Sequence, residues 1–437
     1  MTPSARLAAA IDVLRDIEMQ GRSARDSLKI WGSGARYAGA KDRAWVSGLV
    51  LDVLRRRRSL AWAIGLEGPR ATALSALVNA WGWSVEQAAE AAAGAPHGPG
   101  PLTDEEARGL AAPRPLQEAP PPVAGDYPDW LDAAMARAFG DDRAAEGAAL
   151  ARRAPVDLRA NTLRTDTEHV AEVLEPAGAD PSPVMAAAFR IAAPMAADRA
   201  PAVESLPAFA EGWFEVQDLG SQIAAAAAGP VAGRQVLDLC AGGGGKTLAL
   251  SAAMANTGQI YAYDTDARRL AETAARAQRA GVRNLQVIQP SSLGLLGELE
   301  ARMDLVFVDA PCTGSGTWRR RPDAKWRLTP VQLAQRIGDQ DAVLGAAAGL
   351  TRIGGRMVYV TCSVLAEENE DRVAAFLEAS SGFAVIPALG AIVASGLATE
   401  AGATHLADHA TPEGYLRLSP RSGGTDGFFV AVLERRS

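Results

Sequence analysis

The sequence predicts an α/β protein in which a mostly parallel, doubly wound sheet with one antiparallel end strand follows an all-helical domain. Three features of the 437 residues carry that expectation. Apolar residues recur at helical spacing from residue 5 to residue 94. A proline-dense stretch then interrupts the periodic pattern. Beyond residue 217, short β-branched and aromatic runs alternate with Ala-rich helical stretches, as in parallel strands joined by helical crossovers.

Leu7, Ile11, Leu14 and Ile17 share one helical face, and Val46, Leu49, Val53 and Leu54 repeat the spacing, so residues 1–94 are expected to form a helical domain. Residues 95–125 are expected to be a linker without a continuous helix, because proline removes a backbone donor and clashes inside helices. YPDWLDAAMARAFG reads as a short amphipathic helix starting near Pro128, and with LRANTLRTD it falls in a connecting subdomain over residues 126–212. In residues 213–437, QVLDL, QIYAYD, LQVIQ, DLVFVDA and RMVYVTC read as strands. YLRLSP and GFFVAVLE flank RSGGTDG as a strand pair, which supplies the antiparallel strand at the end of the sheet.

The length suits two or three domains. No run approaches the roughly 18 apolar residues of a membrane span, and no basic-then-apolar leader opens the chain, so a cytoplasmic protein without a membrane partner is expected. Cys240, Cys312 and Cys362 cannot all pair and lack CxxC spacing, which points to reduced thiols. A net charge of −7 argues against a polyanionic partner. Its distribution argues the other way. Residues 1–60 hold 12 Lys and Arg against 6 Asp and Glu, and WRRRPDAKWR (318–327) holds five bases against one acid with Trp318 and Trp326 interleaved, a mixture suited to single-stranded RNA.

In such a sheet, ligands bind at the carboxyl ends of the strands. The first of these ends is Cys240-Ala241-Gly242-Gly243-Gly244-Gly245-Lys246-Thr247. It fails the phosphate-loop pattern because Cys240 stands where a glycine is required, which counts against a nucleotide hydrolase. A glycine turn running into a helix N-terminus instead suits close approach by an amino-acid-bearing nucleoside. Asp264 ends the second strand, where a carboxylate commonly accepts ribose hydroxyls, and Arg269 follows it, so an adenosine cofactor is expected. Cys312 and Cys362 end two further strands, with Asp309 three residues before Cys312. A single cysteine is most often inert and buried, but two at ligand-facing ends beside an adenosine site indicate nucleophilic catalysis. His405 and His409 have i, i+4 spacing without an evident third ligand, so no metal is expected.

LDLCAGGGGKT, DAPCTGSGTWRRRPDAKW, YVTCSV and GTDGFF resemble the RNA (cytosine-5) methyltransferases of the RsmB, or Nop/Sun, family, and the likeness spans residues 126–437. LRDIEMQG and DRAWVSGLVLDVLRR resemble the NusB-like RNA-binding domain that precedes the catalytic part in the RsmB branch. The resemblance implies a Rossmann-like class I methyltransferase sheet and S-adenosylmethionine held by Cys240 to Lys246, Asp264, Arg269, Asp309 and the region of Ser291. It implies that Cys362 adds to carbon 6 of cytosine, that Asp309 bonds the ring near nitrogen 3, and that Cys312 assists removal of the carbon 5 proton and release of the adduct. Glu367, Glu368 and Glu370 oppose a thiolate at Cys362, whereas the following helix N-terminus favours one. The implied substrate is RNA with its base flipped out, ribosomal rather than transfer RNA because of the NusB-like front. A non-catalytic RNA-binding assembly factor is the alternative. The oligomeric state is not legible, and a monomer is the working expectation. Two departures stand out: Gly242 and Gly243 replace the usual Ala-Pro, loosening the cofactor loop, and QPSS around Ser291 lacks an acid that the family often carries.

Overall fold

The computed structural model describes residues 1–437, except the side chain of residue 293. Two compact units form. The first comprises Met1–Ala154, Ala193–Ala200 and Thr317–Leu328, and the second comprises Pro155–Ala192, Pro201–Gly316 and Thr329–Ser437.

The first unit is helical. It begins with α1 (Pro3–Gln20), α2 (Ala24–Gly34), α3 (Ala40–Arg55), α4 (Arg57–Ile64), α5 (Pro69–Asn79), α6 (Val85–Ala93) and α7 (Asp104–Ala111). The apolar stripes of α1 and α3 meet in one core, where Leu7, Ile11, Leu49 and Val46 are almost wholly buried. The expected linker is therefore corrected in part: α7 lies within it, with Leu110 in the same core. Its start is a capping box in which the Thr103 hydroxyl accepts from Glu106 N–H and the Glu106 carboxylate accepts from Thr103 N–H. Residues 126–154, expected in the connecting subdomain, pack with this unit, and the helix there begins at Asp132 after a short 3₁₀ turn.

Thr317–Leu328 also belongs to this unit, and its packing revises the reading of its interleaved tryptophans as suited to single-stranded RNA. Trp318 is buried, Trp326 donates its indole N–H to the Leu54 carbonyl at 2.6 Å, and Lys325 donates to the Arg55 carbonyl at 2.6 Å. Burial pulls Lys325 down to about 8. These side chains hold the segment in place. Its exposed cations are Arg320, Arg321 and Arg327.

The second unit holds two sheets. The smaller is antiparallel and contains β1 (Val156–Ala160), β2 (Ala179–Pro181), β3 (Ala188–Ile191) and β4 (Phe214–Val216) in the order β2-β3-β1-β4. The larger contains β5 (Gln235–Asp238), β6 (Gln259–Tyr263), β7 (Leu285–Ile288), β8 (Met303–Asp309), β9 (Thr351–Thr361), β10 (Phe383–Ile386), β11 (Leu416–Leu418) and β12 (Phe428–Arg435). Its order is β10-β12-β9-β8-β5-β6-β7, with β11 paired to β12. The five strands from β5 to β9 are parallel and match the expected runs. The expected antiparallel strand is β12, set between β9 and β10.

Alternation along each strand divides the core into two layers. Leu305 and Phe307 of β8 and Val358 and Val360 of β9 face the helices Leu219–Ala226 and Ala388–Ala394. Val306, Val308, Met357 and Tyr359 face Leu344 and Ala347 of the helix Pro330–Leu350 and Val373 of the helix Glu370–Ala379. Covering both faces is what a parallel sheet requires. It leaves the carboxyl edge as the place where polar side chains converge.

Candidate active site

β8 and β9 are neighbouring parallel strands, with Asp309 opposite Val360 in register. Cys312 lies just beyond β8 and Cys362 directly after β9, and their Sγ atoms are 3.4 Å apart. Pro311 and Gly314, at φ +69°, shape the first turn, and the second is tied to it by the Gly316 N–H donating to the Cys362 carbonyl at 2.9 Å. The contact with Cys362, then burial, then the Glu368 charge push the Cys312 thiol well up, so it is protonated at neutral pH.

Lys246 reaches this centre from the helix Gly245–Ala253, which follows β5, the neighbour of β8. Its Nζ donates to Asp309 Oδ2 at 2.7 Å. Burial by itself would depress Lys246, but Asp309 above all, and then Cys362 and Asp238, raise it, so it remains an ammonium. Lys246 is thus the ion-pair partner of Asp309 and a positive charge in the field of Cys362. Sequence reading placed it only on the cofactor loop, although its rarity in a chain with four lysines marked it out.

The glycine turn is wired to the helix Ala267–Ala280. Gly242 N–H donates to Asp264 Oδ2 at 2.8 Å, its carbonyl accepts from the Thr273 hydroxyl at 2.8 Å, and the Gly243 carbonyl accepts from Arg276. The expected loosening of this loop by Gly242 and Gly243 is therefore offset by side-chain ties. Gly242 has φ +55°, and a Cβ there would meet the Arg269 guanidinium at 2.3 Å, so a glycine is what lets Arg269 lie across the turn. Arg269 is mostly exposed and 3.9 Å from Asp264. Cys240 is half-buried, and burial followed by the charges of Asp238, Asp309 and Asp264 raises its thiol far above the usual range. That makes it an inert neighbour.

The remaining expected residues are less closely engaged. Ser291 is exposed in the 3₁₀ turn Pro290–Ser292 beyond β7. The His405 and His409 rings contact edge-on at 4.9 Å, and no group of three potential metal-binding side chains assembles among the described residues. No described helix is long and apolar enough to cross a membrane.

Asp238, which sequence reading passed over, is fully buried beneath the site. Its Oδ2 accepts from Thr247 at 2.6 Å while Oδ1 has no hydrogen-bond partner among the described residues, and burial pushes the carboxyl up to about 7. A raised acid contributes stability that is complete below its unfolded value of 3.8 and is lost as pH rises through about 7. Asp238→Asn removes that titration. Between pH 5 and pH 8 the melting temperature of the variant relative to the wild type is expected to rise, and parallel melting curves across that range would refute the assignment.

Comparison with known proteins places this geometry. A family model described as 16S rRNA methyltransferase RsmB/F matches residues 225–434, and one described as an RsmF/B-like ferredoxin-like domain matches residues 127–198. The probable ribosomal RNA small subunit methyltransferase B of Synechocystis sp. is 31% identical over 314 residues, which cover 71% of this chain and 67% of that protein. Ribosomal RNA small subunit methyltransferase B of Yersinia pestis is 33% identical over 262 residues, 58% of either chain, so the match spans little more than half of that relative's length. Among solved structures, a methyltransferase homolog protein from Pyrococcus horikoshii has a TM-score of 0.58 at 26% identity, covering 72% of this chain and 97% of its own. NSun6 from the same organism shares the fold, with a TM-score of 0.59 at 20% identity over 71% of this chain and 98% of its own. Identity at that level across that much of the Synechocystis relative shows that the chain belongs to the RsmB/F family of 16S rRNA methyltransferases.

Proposed function

We propose that this protein methylates carbon 5 of a cytosine in ribosomal RNA, using S-adenosylmethionine and a covalent cysteine adduct. The observation that carries the reading is the pair of thiols 3.4 Å apart on adjacent strand ends, next to the Lys246–Asp309 ion pair.

The residues fit the cofactor. Gly242 and Gly244, both at positive φ, keep side chains off a turn at a helix N-terminus beside the buried Asp264 carboxylate, which suits the amino-acid and ribose ends of an adenosine ligand. When bound there, S-adenosylmethionine supplies an electrophilic methyl group. Cys362 sulfur bonds to carbon 6 of the ring, which makes carbon 5 nucleophilic. Asp309, oriented by Lys246, stabilises charge at the nitrogen 3 side. Once carbon 5 holds the methyl group, with S-adenosylhomocysteine as the leaving group, its proton passes to water, the electron pair restores the C5–C6 double bond, and Cys362 departs as thiolate. The protonated Cys312, 3.4 Å from Cys362, is placed to assist that elimination by hydrogen-bonding to the departing sulfur.

The test is incorporation of labelled methyl into unmethylated 16S rRNA followed by nucleoside analysis. 5-Methylcytosine in that RNA is expected. The same product only in transfer RNA would overturn the substrate, and no methyl transfer to either RNA, with RNA bound, would identify a binding factor.

The helical unit offers the RNA a basic groove of about 730 Å³, lined by Arg25, Lys29, Arg43, Arg199, Arg321 and others above Leu28 and Trp31. Asp323 is its acid, and it is paired with Arg327 at 2.9 Å. Replacing Arg25, Lys29 and Arg321 with Ala is expected to weaken RNA binding about tenfold or more near 0.1 M salt and to flatten the salt dependence, since fewer counterions are released. Fluorescence anisotropy across a salt series checks this. An unchanged slope would exclude the groove from the RNA path.

A further inference from the structure

Glu368 takes no part in the chemistry above, yet it joins both cysteine turns. It is fully buried in the 3₁₀ turn Ala366–Glu368, six residues after Cys362. Its Oε1 accepts from the Thr313 backbone N–H at 2.8 Å and from Gln340 Nε2 at 3.0 Å. Its Oε2 accepts from the Thr313 hydroxyl at 2.5 Å and from the Ser363 hydroxyl. Thr313 follows Cys312 and Ser363 follows Cys362, so a single carboxyl group bonds the residue after each thiol. Gln340, on the helix Pro330–Leu350, also donates to the Pro311 carbonyl at 2.9 Å. A second layer repeats the link, with the Ser315 and Ser363 hydroxyls 2.9 Å apart and Val364 N–H donating to Ser315 at 2.9 Å.

We propose that Glu368 is a positioning residue of the methyl-transfer site, a buried carboxylate that clamps the two cysteine turns at a fixed separation. The inference rests on the cytosine-5 reading for its kinetic consequence, although its geometry does not. Among the described residues, Glu368 forms no ion pair. A buried carboxylate without a counter-ion is costly unless donors satisfy it, and four donors from three segments do so here. Neighbouring strands need no such charge to stay paired. Its consequence lies at the turns, where three hydrogen bonds, two from Thr313 and one from Ser363, hold the residues that follow the two thiols, and in the field at Cys312, which favours the neutral thiol.

The test compares Glu368→Gln, which keeps the shape but loses the charge and presents donors to donors, with the wild type. Carbamidomethylation of Cys312 and Cys240 by iodoacetamide is followed across pH by peptide mass spectrometry, alongside kcat and KM for RNA. The expected result is a Cys312 profile displaced to lower pH, about tenfold faster alkylation per unit of displacement at fixed pH, a kcat at least about tenfold lower, and an unchanged KM. Cys240 is the control: an unchanged profile there excludes general loosening. A Cys312 profile that overlays the wild type, or an unaltered kcat, would overturn the proposal. Should Glu368→Gln not fold, Thr313→Val removes one clamp bond and keeps the charge. It is expected to lower kcat at constant KM without displacing the Cys312 profile, and an unchanged kcat would again overturn the clamp. A wild type that makes no 5-methylcytosine defeats the proposed function, but the alkylation comparison needs neither RNA nor cofactor and still decides whether Glu368 acts on Cys312.

Discussion

Cys312→Ala, mixed with substrate RNA and S-adenosylmethionine, is expected to migrate on a denaturing gel as a slow band carrying RNA on Cys362. Cys362→Ala is expected to give no such band, and both variants should lose at least about 10³-fold in turnover. The asymmetry is the one that the resemblance to the cytosine-5 methyltransferases implies, with Cys362 adding to carbon 6 and Cys312 assisting the later elimination, and the two sulfurs lie 3.4 Å apart at the ends of adjacent strands. If Cys312 assists elimination, removing it halts the reaction after the sulfur–carbon bond has formed. A band in Cys362→Ala that is absent from Cys312→Ala would reverse the roles. No band in any variant, with RNA bound and cofactor present, would remove the covalent route.

The parallel sheet was legible because both of its faces are buried, which makes β5, β6, β8 and β9 near-continuous apolar runs that sequence can show. The strands of the smaller sheet are three to five residues long and mix charge with apolar residues, as in VDLRA, and so carry no comparable signal. β10, FAVI, is wholly apolar but only four residues long and half-buried, and its shortness is what hid it. The helix α7 was legible in principle through its capping box, but the surrounding prolines outweighed it. Cys312, Cys362, Asp309 and Asp264, the proposed site residues, were singled out from their places at strand ends. Asp238 was not, and Glu368 was noted only as a charge opposing a thiolate at Cys362, since the contacts of both depend on burial and on partners distant in sequence, Gln340 for one. The basic segment 318–327 shows the opposite limit, because its charge was visible but the burial of Trp318 and Lys325 was not.

The Lys246–Asp309 pair makes the second large prediction, and its two halves are expected to differ. Lys246 is 9% exposed and Asp309 31%. Asp309→Asn leaves a buried ammonium facing a neutral amide, whereas Lys246→Met leaves a carboxylate that water can reach. Breaking a buried pair costs on the order of 3 kcal/mol when the remaining charge cannot hydrate, and nearer 1 kcal/mol when it can. Asp309→Asn should therefore be the less stable protein by chemical denaturation, even though its substitution is the smaller in shape. On the proposed chemistry, turnover is expected to fall about 10² to 10³-fold in Asp309→Asn, because the carboxylate assigned to the nitrogen 3 side no longer stabilises developing charge. Lys246→Met should lose activity as well, through a misplaced Asp309 and the loss of a positive charge in the field of Cys362. Lys246→Arg is not expected to restore it, since a planar guanidinium does not fit the point contact that Nζ makes. The raised Lys246 keeps its charge through the neutral range, and the stability it contributes is complete below its unfolded value of 10.5 and lost only as pH rises through its higher folded value. An alkaline fall in activity near pH 8 must then arise elsewhere, and its persistence in Lys246→Met, measured as residual kcat against pH, would agree with that. A stability order opposite to the one given would mean that the ammonium finds another partner when Asp309 is neutral.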